Sequence, residues 1–149
     1  MSEHRAQIRW QRTSPDFTYN TYNRAHEVLY KGGDVVLPGS AAAEFKGDAD
    51  RVDPEEQFVA SLSACHMLSF LAIAARKRIT INSYADNAVG YLEKGDDGKL
   101  RITRVILRPS VRLAEGSSNA AVQEIHDLAH ETCFIANSVT TSVAVEPQS

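Results

Sequence analysis

The sequence predicts an α+β protein that folds as a single domain over residues 1–149. Short segments near both ends and in the middle alternate apolar and polar residues, as half-buried strands do. One long apolar segment begins with a helix-start signal, and a later segment repeats apolar residues every three or four positions. The resulting order of strands, helix, two strands, helix and strand favours antiparallel sheets.

The charge of the chain argues against several classes of partner. A formal net charge of −3 provides no basic field for nucleic acid or for an anionic membrane surface. The opening residues MSEHRAQIRW carry charges where a secretory signal has an apolar run. We therefore expect a cytoplasmic protein that binds neither nucleic acid nor a membrane. In a reducing compartment, two cysteines favour free thiols or a transient redox pair over a structural disulfide.

The first third of the chain predicts two strands and a long loop. The segment AQIRWQR alternates Ile8 and Trp10 with charged residues, and TYNTYNRAHEVLYKGG predicts a second strand that ends at a Gly–Gly turn. The segment VVLPGSAAAEFKGDADRVDP is rich in small and turn-forming residues, so it predicts a loop that leads to the first helix.

A long central helix is predicted over about 53–78. Asp53 is a good N-cap, Pro54 suits the first helical position, and Glu56 completes a capping box. Lys77 and Arg78 favour the negative end of the helix dipole. The apolar run over 58–75 is long enough to approach a membrane span, but it contains three serines and a histidine. A buried helix is the better interpretation.

The rest of the chain predicts a hairpin, a second helix and a final strand. Asp97 and Gly98 supply a turn between two strands, and Val105, Leu107 and Val111 keep an alternating pattern. The second helix is predicted over about 117–132, and SVTTSVAVE closes the chain as a β-branched strand.

Cys65 and Cys133 are the candidate reactive residues. A cysteine in a helix interior is usually an inert small hydrophobe. Cys65, however, lies among small residues that leave room for a substrate, and Cys133 follows a helix end, where a thiol is often accessible. A peroxidatic thiol also needs a resolving thiol to avoid over-oxidation. His66 points about 100° away from Cys65 around the helix, so an arginine is the better candidate to activate the thiol.

The segment DPEEQFVASLSACHMLSFLA, with a second cysteine in CFIANS, resembles the OsmC/Ohr family of osmotically inducible and organic hydroperoxide resistance proteins. The resemblance also covers the loop GGDVVLPGSAAAEFKGD. It implies an OsmC-like α+β fold in an intertwined homodimer and a stress-response antioxidant function. The chain departs from the family in one place, because Phe134 follows the second cysteine where proline is usual.

The resemblance also implies a chemistry and a set of site residues. Cys65 would be the peroxidatic thiol and Cys133 the resolving thiol, with an activating arginine and Glu55 beside them. Arg24 is the best-placed arginine, although Arg5, Arg9 and Arg12 are near it in sequence. The substrate would be an organic hydroperoxide and the reductant a dithiol on a lipoylated protein, with no metal or organic cofactor.

Helix geometry predicts that two chains build the site. Glu55 and Cys65 are ten residues apart, which corresponds to about 15 Å along one straight helix. If Glu55 holds the arginine near the thiolate, it more plausibly comes from a second copy of the helix. The small residues around Cys65 would let two such helices approach closely.

Several alternative interpretations remain open. A cysteine hydrolase would need a base such as His66, His126 or His130 and an oxyanion hole, neither of which the sequence marks. A non-catalytic protein that binds a small ligand or senses redox state would fit if Cys65 were an ordinary buried thiol. His126 and His130 have metal-ligand spacing, but we expect them, like Glu131, to face solvent. Apolar residues near Cys65 would either line a substrate pocket or form plain core; these are Phe58, Leu62, Met67 and Phe70.

Overall fold

The computed structural model describes residues 1–149, which form two compact units, 1–57 and 58–149. The predicted α+β class is confirmed. The strands are β1 (Gln7–Arg9), β2 (His26–Tyr30), β3 (Val35–Gly39), β4 (Ile81–Asp86), β5 (Val89–Lys94), β6 (Leu100–Leu107), β7 (Pro109–Leu113) and β8 (Ser142–Val145). The helices are α1 (Pro54–Arg76) and α2 (Val122–Thr132), and four short 3₁₀ turns lie between these elements.

The N-terminal unit is built on the antiparallel sheet β1–β2–β3. Val28 and Leu29 of the central strand are its buried apolar residues. The prediction of a loop from Val35 onward is wrong for β3, which pairs with β2 over its whole length. Its Val-Val-Leu run has strand propensity, and Pro38 is tolerated because β3 lies at the edge of the sheet.

Helix α1 begins at the predicted capping box. The backbone N–H of Glu56 donates to Asp53 Oδ1 at 2.7 Å, and the backbone N–H of Asp53 donates to Glu56 Oε2 at 3.0 Å. These reciprocal bonds satisfy two donors that no helical carbonyl can reach.

The end of α1 lies two residues before the predicted one. Arg78 has a left-handed backbone with φ of 60°, so the helix cannot continue through it. The N–H of Arg78 donates to Ala75 O and the N–H of Ile79 donates to Ala74 O, which is the bonding of a Schellman motif. Ile79 then packs against the apolar core beside Ala74.

The C-terminal unit contains four strands between its helices, where the sequence predicted two. β4 pairs with β7, and the order of the other sheet is β5–β6–β8. The predicted turn at Asp97 and Gly98 joins β5 to β6, with Gly98 at φ of 76°. The pairing is not all antiparallel, because β6 and β8 run parallel. Helix α2 lies between β6 and β8 in the chain, and this long connection lets β8 run in the same direction as β6.

Two clusters of buried residues form the core of this unit. Helix α1 supplies Phe70 and Ala74 to one cluster and Leu62 to the other. Together with His66 they form a stripe at four-residue steps along one side of the helix. Phe70 and Leu62 are fully buried, so their plain-core interpretation is the correct one.

Helix α1 is also long and apolar enough to cross a membrane by length and composition alone. The buried stripe packs against α2 and the strands, as the core helix of a globular protein does. Other parts of the helix surface remain exposed in the single chain, among them Ala64 and Leu68.

Helix α2 begins later than the predicted residue 117. A 3₁₀ turn at Asn119–Ala121 precedes it, and the Ser118 hydroxyl accepts from the N–H of Ala120 to cap that turn. The helix ends at Thr132 as predicted, with Cys133 as its C-cap in an extended conformation.

Candidate functional site

The fold of residues 58–149 brings the two cysteine side chains together. Cys65 lies midway along α1, and Cys133 caps the end of α2. The thiols are free, and they lie close enough for Cys65 to raise the pKa of the Cys133 thiol. Both helices are packed against the same strands, so 67 intervening residues separate thiols that are neighbours in space. This proximity is a requirement of a redox-active thiol pair.

The environments of the two thiols differ. Cys133 is buried, whereas Cys65 is partly exposed. Burial, together with the neighbouring Cys65, raises the pKa of the Cys133 thiol to about 11. Cys133 therefore remains a protonated donor at neutral pH. Of the two cysteines, Cys65 is the more exposed residue.

The segment after Cys133 forms a tight turn although it lacks the family's usual proline. The N–H of Asn137 donates to Cys133 O at 3.0 Å, and the N–H of Ala136 donates to Cys133 Sγ at 3.4 Å. Ile135 packs into the core, while Phe134 is 81% exposed. The residue that replaces proline thus projects outward and leaves the thiol in place.

His66 and His126 form a buried pair that the sequence did not predict. A hydrogen bond of 3.1 Å joins His66 Nε2 to His126 Nδ1, with one nitrogen donating to the other, and the rings lie 5° from parallel. The expectation that His126 faces solvent is wrong, since it is 1% exposed and its ring contacts Phe70. Ile125 and Ala129 are buried on the same side of α2, so this side of the helix packs against the core.

The expectation that His130 faces solvent is also wrong for its Nδ1 atom, which is buried without a hydrogen-bond partner. No group of three or more histidine, cysteine or acidic side chains converges in a metal-binding arrangement. Neither His66 nor His126 hydrogen-bonds a cysteine, since one nitrogen of each ring bonds the other ring and the second is buried without a partner. Their arrangement gives no support to a hydrolase with a cysteine–histidine pair.

Asp86 is a further polar residue that sequence reasoning missed. The Ser63 hydroxyl donates to one oxygen of Asp86, and the backbone N–H of Arg108 donates to the other at 2.6 Å. Asp86 thus links α1 to the strands. Its partner on α1, Ser63, lies two residues before Cys65 in the sequence. The four-residue stripe of α1 could have identified His66 as a core residue, but no local signal pairs Ser63 with Asp86.

Arg24 is the one buried arginine of the N-terminal unit. It is 8% exposed, whereas Arg5, Arg9 and Arg12 are exposed. Its two terminal nitrogens donate to Tyr22 O at 2.8 Å and to Tyr19 O at 2.7 Å. The guanidinium carbon also lies 3.9 Å from the centre of the Tyr22 ring. These contacts fix the guanidinium without neutralising its charge.

Glu55 lies in the first turn of α1 and does not pair with Arg24 within the chain. The expectation that a second chain supplies Glu55 to the site therefore stays a prediction. Glu56 has the capping role that was expected of it, and Glu131 is exposed as expected.

The chain is similar to proteins of known structure over nearly its whole length. An OsmC-like protein of unknown function from Vibrio cholerae O1 biovar eltor is 46% identical, with a TM-score of 0.94 over 99% of this chain and 100% of that chain. An organic hydroperoxide resistance protein from Elizabethkingia anophelis is 17% identical, with a TM-score of 0.74 over 99% of this chain and 94% of that one.

A further similar structure is the organic hydroperoxide resistance protein OhrB of Bacillus subtilis. It is 20% identical, with a TM-score of 0.69 over 99% of this chain and 98% of that one. No curated protein sequence matches the chain. The family model described as OsmC-like protein matches residues 47–148, which include both cysteines and both helices. The chain therefore belongs to the OsmC-like family.

Proposed function

We propose that this protein is a thiol-dependent peroxidase that reduces organic hydroperoxides to alcohols. The observation that carries the proposal is the proximity of the two thiols, with Cys133 buried and Cys65 partly exposed. The likeness to two organic hydroperoxide resistance proteins in fold supports the choice of substrate.

In the first step, the Cys65 thiolate attacks the distal oxygen of ROOH. The O–O bond breaks, Cys65 is oxidised to a sulfenic acid, and the alkoxide leaves and takes a proton from solvent to become ROH. Cys65 acts as the nucleophile because it is the more exposed cysteine of the pair.

In the second step, Cys133 attacks the sulfenic acid sulfur. An S–S bond forms, and the hydroxyl of Cys65 leaves with the Cys133 proton as water. A dithiol, proposed to be carried by a lipoylated protein, then reduces the disulfide by exchange and is itself oxidised. The proximity of the two thiols favours this step over further oxidation of Cys65.

Arg24 and Glu55 have proposed roles in activating the thiol. A guanidinium beside Cys65 would stabilise the thiolate, and a carboxylate would orient the guanidinium through a bidentate pair. The site would then be completed when two chains associate, with Glu55 supplied by a second copy of α1. Arg24→Gln should lower the peroxidase rate at least about tenfold, whereas the matched change at exposed Arg9 should not.

Intact mass spectrometry tests the cycle. Reduced wild-type protein treated with one equivalent of cumene hydroperoxide should lose two hydrogens as the disulfide forms. Cys133→Ser should retain a sulfenic or more oxidised Cys65, and Cys65→Ser should stay unchanged. Parallel reactions with hydrogen peroxide measure the preference for an organic substrate.

The proposal fails if wild-type protein stays fully reduced with both peroxides while its fold, monitored by circular dichroism, is intact. It also fails if Cys65→Ser is oxidised at Cys133 as fast as wild type. A redox sensor would form the disulfide but would not turn over with a dithiol, so consumption of many equivalents of hydroperoxide per chain distinguishes the enzyme.

A further inference from the structure

Two buried histidines, His66 and His126, join the helices that carry the two thiols. We propose that they are positioning residues, whose hydrogen bond holds the end of α2 so that Cys133 lies beside Cys65 when the disulfide forms. The inference rests on the proposed function and concerns its second step. Neither ring hydrogen-bonds a cysteine, so the pair acts through the position of α2 rather than on the sulfur atoms.

The histidine pair lies close to both thiols along the chain. His66 directly follows Cys65 on α1, and His126 lies seven residues before Cys133, the residue that caps α2. This separation corresponds to about two helical turns, or about 10 Å. Because a helix is rigid over two turns, a shift of α2 at His126 also moves Cys133.

Few other contacts hold α2 against α1. The apolar contact includes Phe70 of α1 and Ile125 of α2, which are fully buried in one core cluster. At the surface, just past the end of α1, Lys77 Nζ lies 3.5 Å from Glu124 Oε2, and an exposed ion pair of this kind contributes little. The ring–ring bond is the only hydrogen bond between α1 and α2. Since hydrogen bonds are directional, it fixes a position that apolar packing defines less strictly.

The bond requires at least one neutral ring. A neutral imidazole has one nitrogen that accepts, whereas two protonated rings carry donors only. Protonation of both rings would also place two positive charges in stacked rings whose centres are 5.4 Å apart. Burial keeps both rings neutral near pH 7 by lowering their pKa values. Acid should therefore break the bond and release α2.

On the β4 side, no group replaces this bond. Asp86 opposes the lowering of the His66 pKa by burial, but its oxygens accept from the Ser63 hydroxyl and from a backbone N–H, not from a ring. Tyr84 lies on the same strand, and burial together with Asp86 raises its pKa, so its hydroxyl carries no charge.

On α2, the titratable neighbours act in opposite directions. Asp127 opposes the lowering of the His126 pKa by burial, but it is exposed and accepts a hydrogen bond from Gln123. His130 adds to the lowering of the His66 pKa by burial. Burial is thus the main reason that the pair stays neutral, and it ends when α2 moves away.

Substitutions at His126 test the positioning role at pH 7. His126→Ala removes the bond, whereas His126→Asn keeps an amide at the position of Nδ1, the bonded nitrogen. Each reduced protein would receive an excess of cumene hydroperoxide and be quenched for intact mass spectrometry. A second hydroperoxide molecule transfers an oxygen atom to any unresolved Cys65 sulfenic acid, which yields the sulfinic acid and a second alcohol. The ratio of sulfinic acid to disulfide should rise about tenfold in His126→Ala and stay near wild type in His126→Asn.

Two controls separate positioning from a general loss of stability. The rate at which Cys65 is first oxidised should be the same in all three proteins, since only the second step depends on the position of α2. Val28→Ala shortens a buried side chain of the N-terminal unit and should lower stability without changing the ratio.

Diamide separates this inference from the proposed function. It oxidises two thiols to a disulfide by taking up two electrons and two protons, so no hydroperoxide is needed. Disulfide formation with diamide should be about tenfold slower in His126→Ala than in wild type or His126→Asn. If this order is found while no protein reacts with hydroperoxide, only the proposed function fails.

Nuclear magnetic resonance of wild-type protein tests the release in acid. As the pH is lowered from about 7 to about 4, the ring ¹⁵N shifts should mark protonation of the pair, and the amide signals of α2 should move with them while those of β6 do not. The inference is overturned if the rings gain protons without a change in α2, or if α2 and β6 change only together. It is also overturned if folded His126→Ala forms the disulfide as fast as wild type, or if His126→Asn is as slow as His126→Ala.

Discussion

His66 and His126 are bases held in the neutral form by their surroundings. Burial and the neighbouring His126 and His130 together lower the pKa of His66 to about 4, although Asp86 acts in the opposite direction. Burial also lowers the pKa of His126, although Asp127 acts in the opposite direction. In the unfolded chain both side chains would titrate near 6.5. Between these values the unfolded state binds more protons than the folded state.

We therefore predict that stability falls as the pH is lowered from about 6.5 toward 4. The folded-state pKa values are depressed, so neutral histidines favour the folded state at higher pH and the unfolded state gains protons first as the pH falls. Each additional proton bound by the unfolded chain contributes about 1.4 kcal/mol per pH unit to the slope. Urea unfolding across this pH range, at fixed protein concentration, measures it.

His126→Gln tests the assignment of this slope to the pair. Glutamine can still hydrogen-bond His66 but does not titrate, so the dependence of the unfolding free energy on pH should become shallower. His4→Gln, in the exposed N-terminal segment, is the control and should leave the slope unchanged. A slope identical in wild type and His126→Gln would show that other groups govern the acid sensitivity.

Helix α1 depends on local signals at its start and on packing along its length. The reciprocal bonds of Asp53 and Glu56 fix the first turn. The stripe that contains Leu62 and Phe70 joins the helix to both core clusters. The ends of this element are therefore set by a few hydrogen bonds, and its position is set by burial.

Removing the N-cap should destabilise the protein by about 1 kcal/mol. Asp53→Ala deletes the acceptor of the Glu56 N–H, whereas Asp53→Asn keeps an oxygen in the same place. The free energy of unfolding in urea should thus fall for alanine and stay close to wild type for asparagine. Equal losses for both substitutions would indicate that the charge, rather than the cap, matters.

The contact between α1 and β5 requires a glycine. A Cβ built on Gly90 would lie 2.5 Å from Val59 Cγ2, which is closer than two carbon atoms can approach. We predict that Gly90→Ala costs about 1–3 kcal/mol of stability through overpacking. Adding Val59→Ala removes the obstructing methyl group, so the double variant should be less destabilised than the sum of the two single changes. Additive losses in thermal or urea unfolding would contradict this account.

The molecule as a whole is predicted to be a homodimer, formed through the outer face of α1. Leu68 is 62% exposed midway along this helix, and small residues such as Ala64 lie beside it. An exposed apolar face of this kind is typical of a protein–protein contact. The family resemblance implies the same arrangement.

Leu68→Glu should shift the protein from dimer to monomer in light scattering or sedimentation, because it places a charge in the proposed contact. Leu100→Glu makes the same change at a leucine that is 55% exposed at the start of β6, and it should leave the dimer intact. A wild-type monomer at micromolar concentration would overturn the prediction. If dimerisation supplies Glu55 to the site, the monomeric variant should also lose peroxidase activity.

Sequence reasoning was most successful where the signal is local. A few consecutive residues determine each of three features that were predicted correctly: the capping box at Asp53, the turn at Gly98 and the end of α2. The predictions were least accurate where a segment could form either a strand or a loop. β3 was missed because the proline and small residues around it are typical of loops, while its pairing with β2 depends on a distant segment.

The sequence by itself determined the α+β class, the long helix with its start, the two cysteines as candidate thiols and the resemblance to a family. These follow from neighbouring residues, whose propensities and spacing act without the rest of the chain. Only the tertiary structure decided that Cys133 lies near Cys65, that His126 is buried against His66 and that Arg24 is buried over the Tyr22 ring. Such contacts join residues far apart in the chain, and packing of the apolar faces fixes which of them meet.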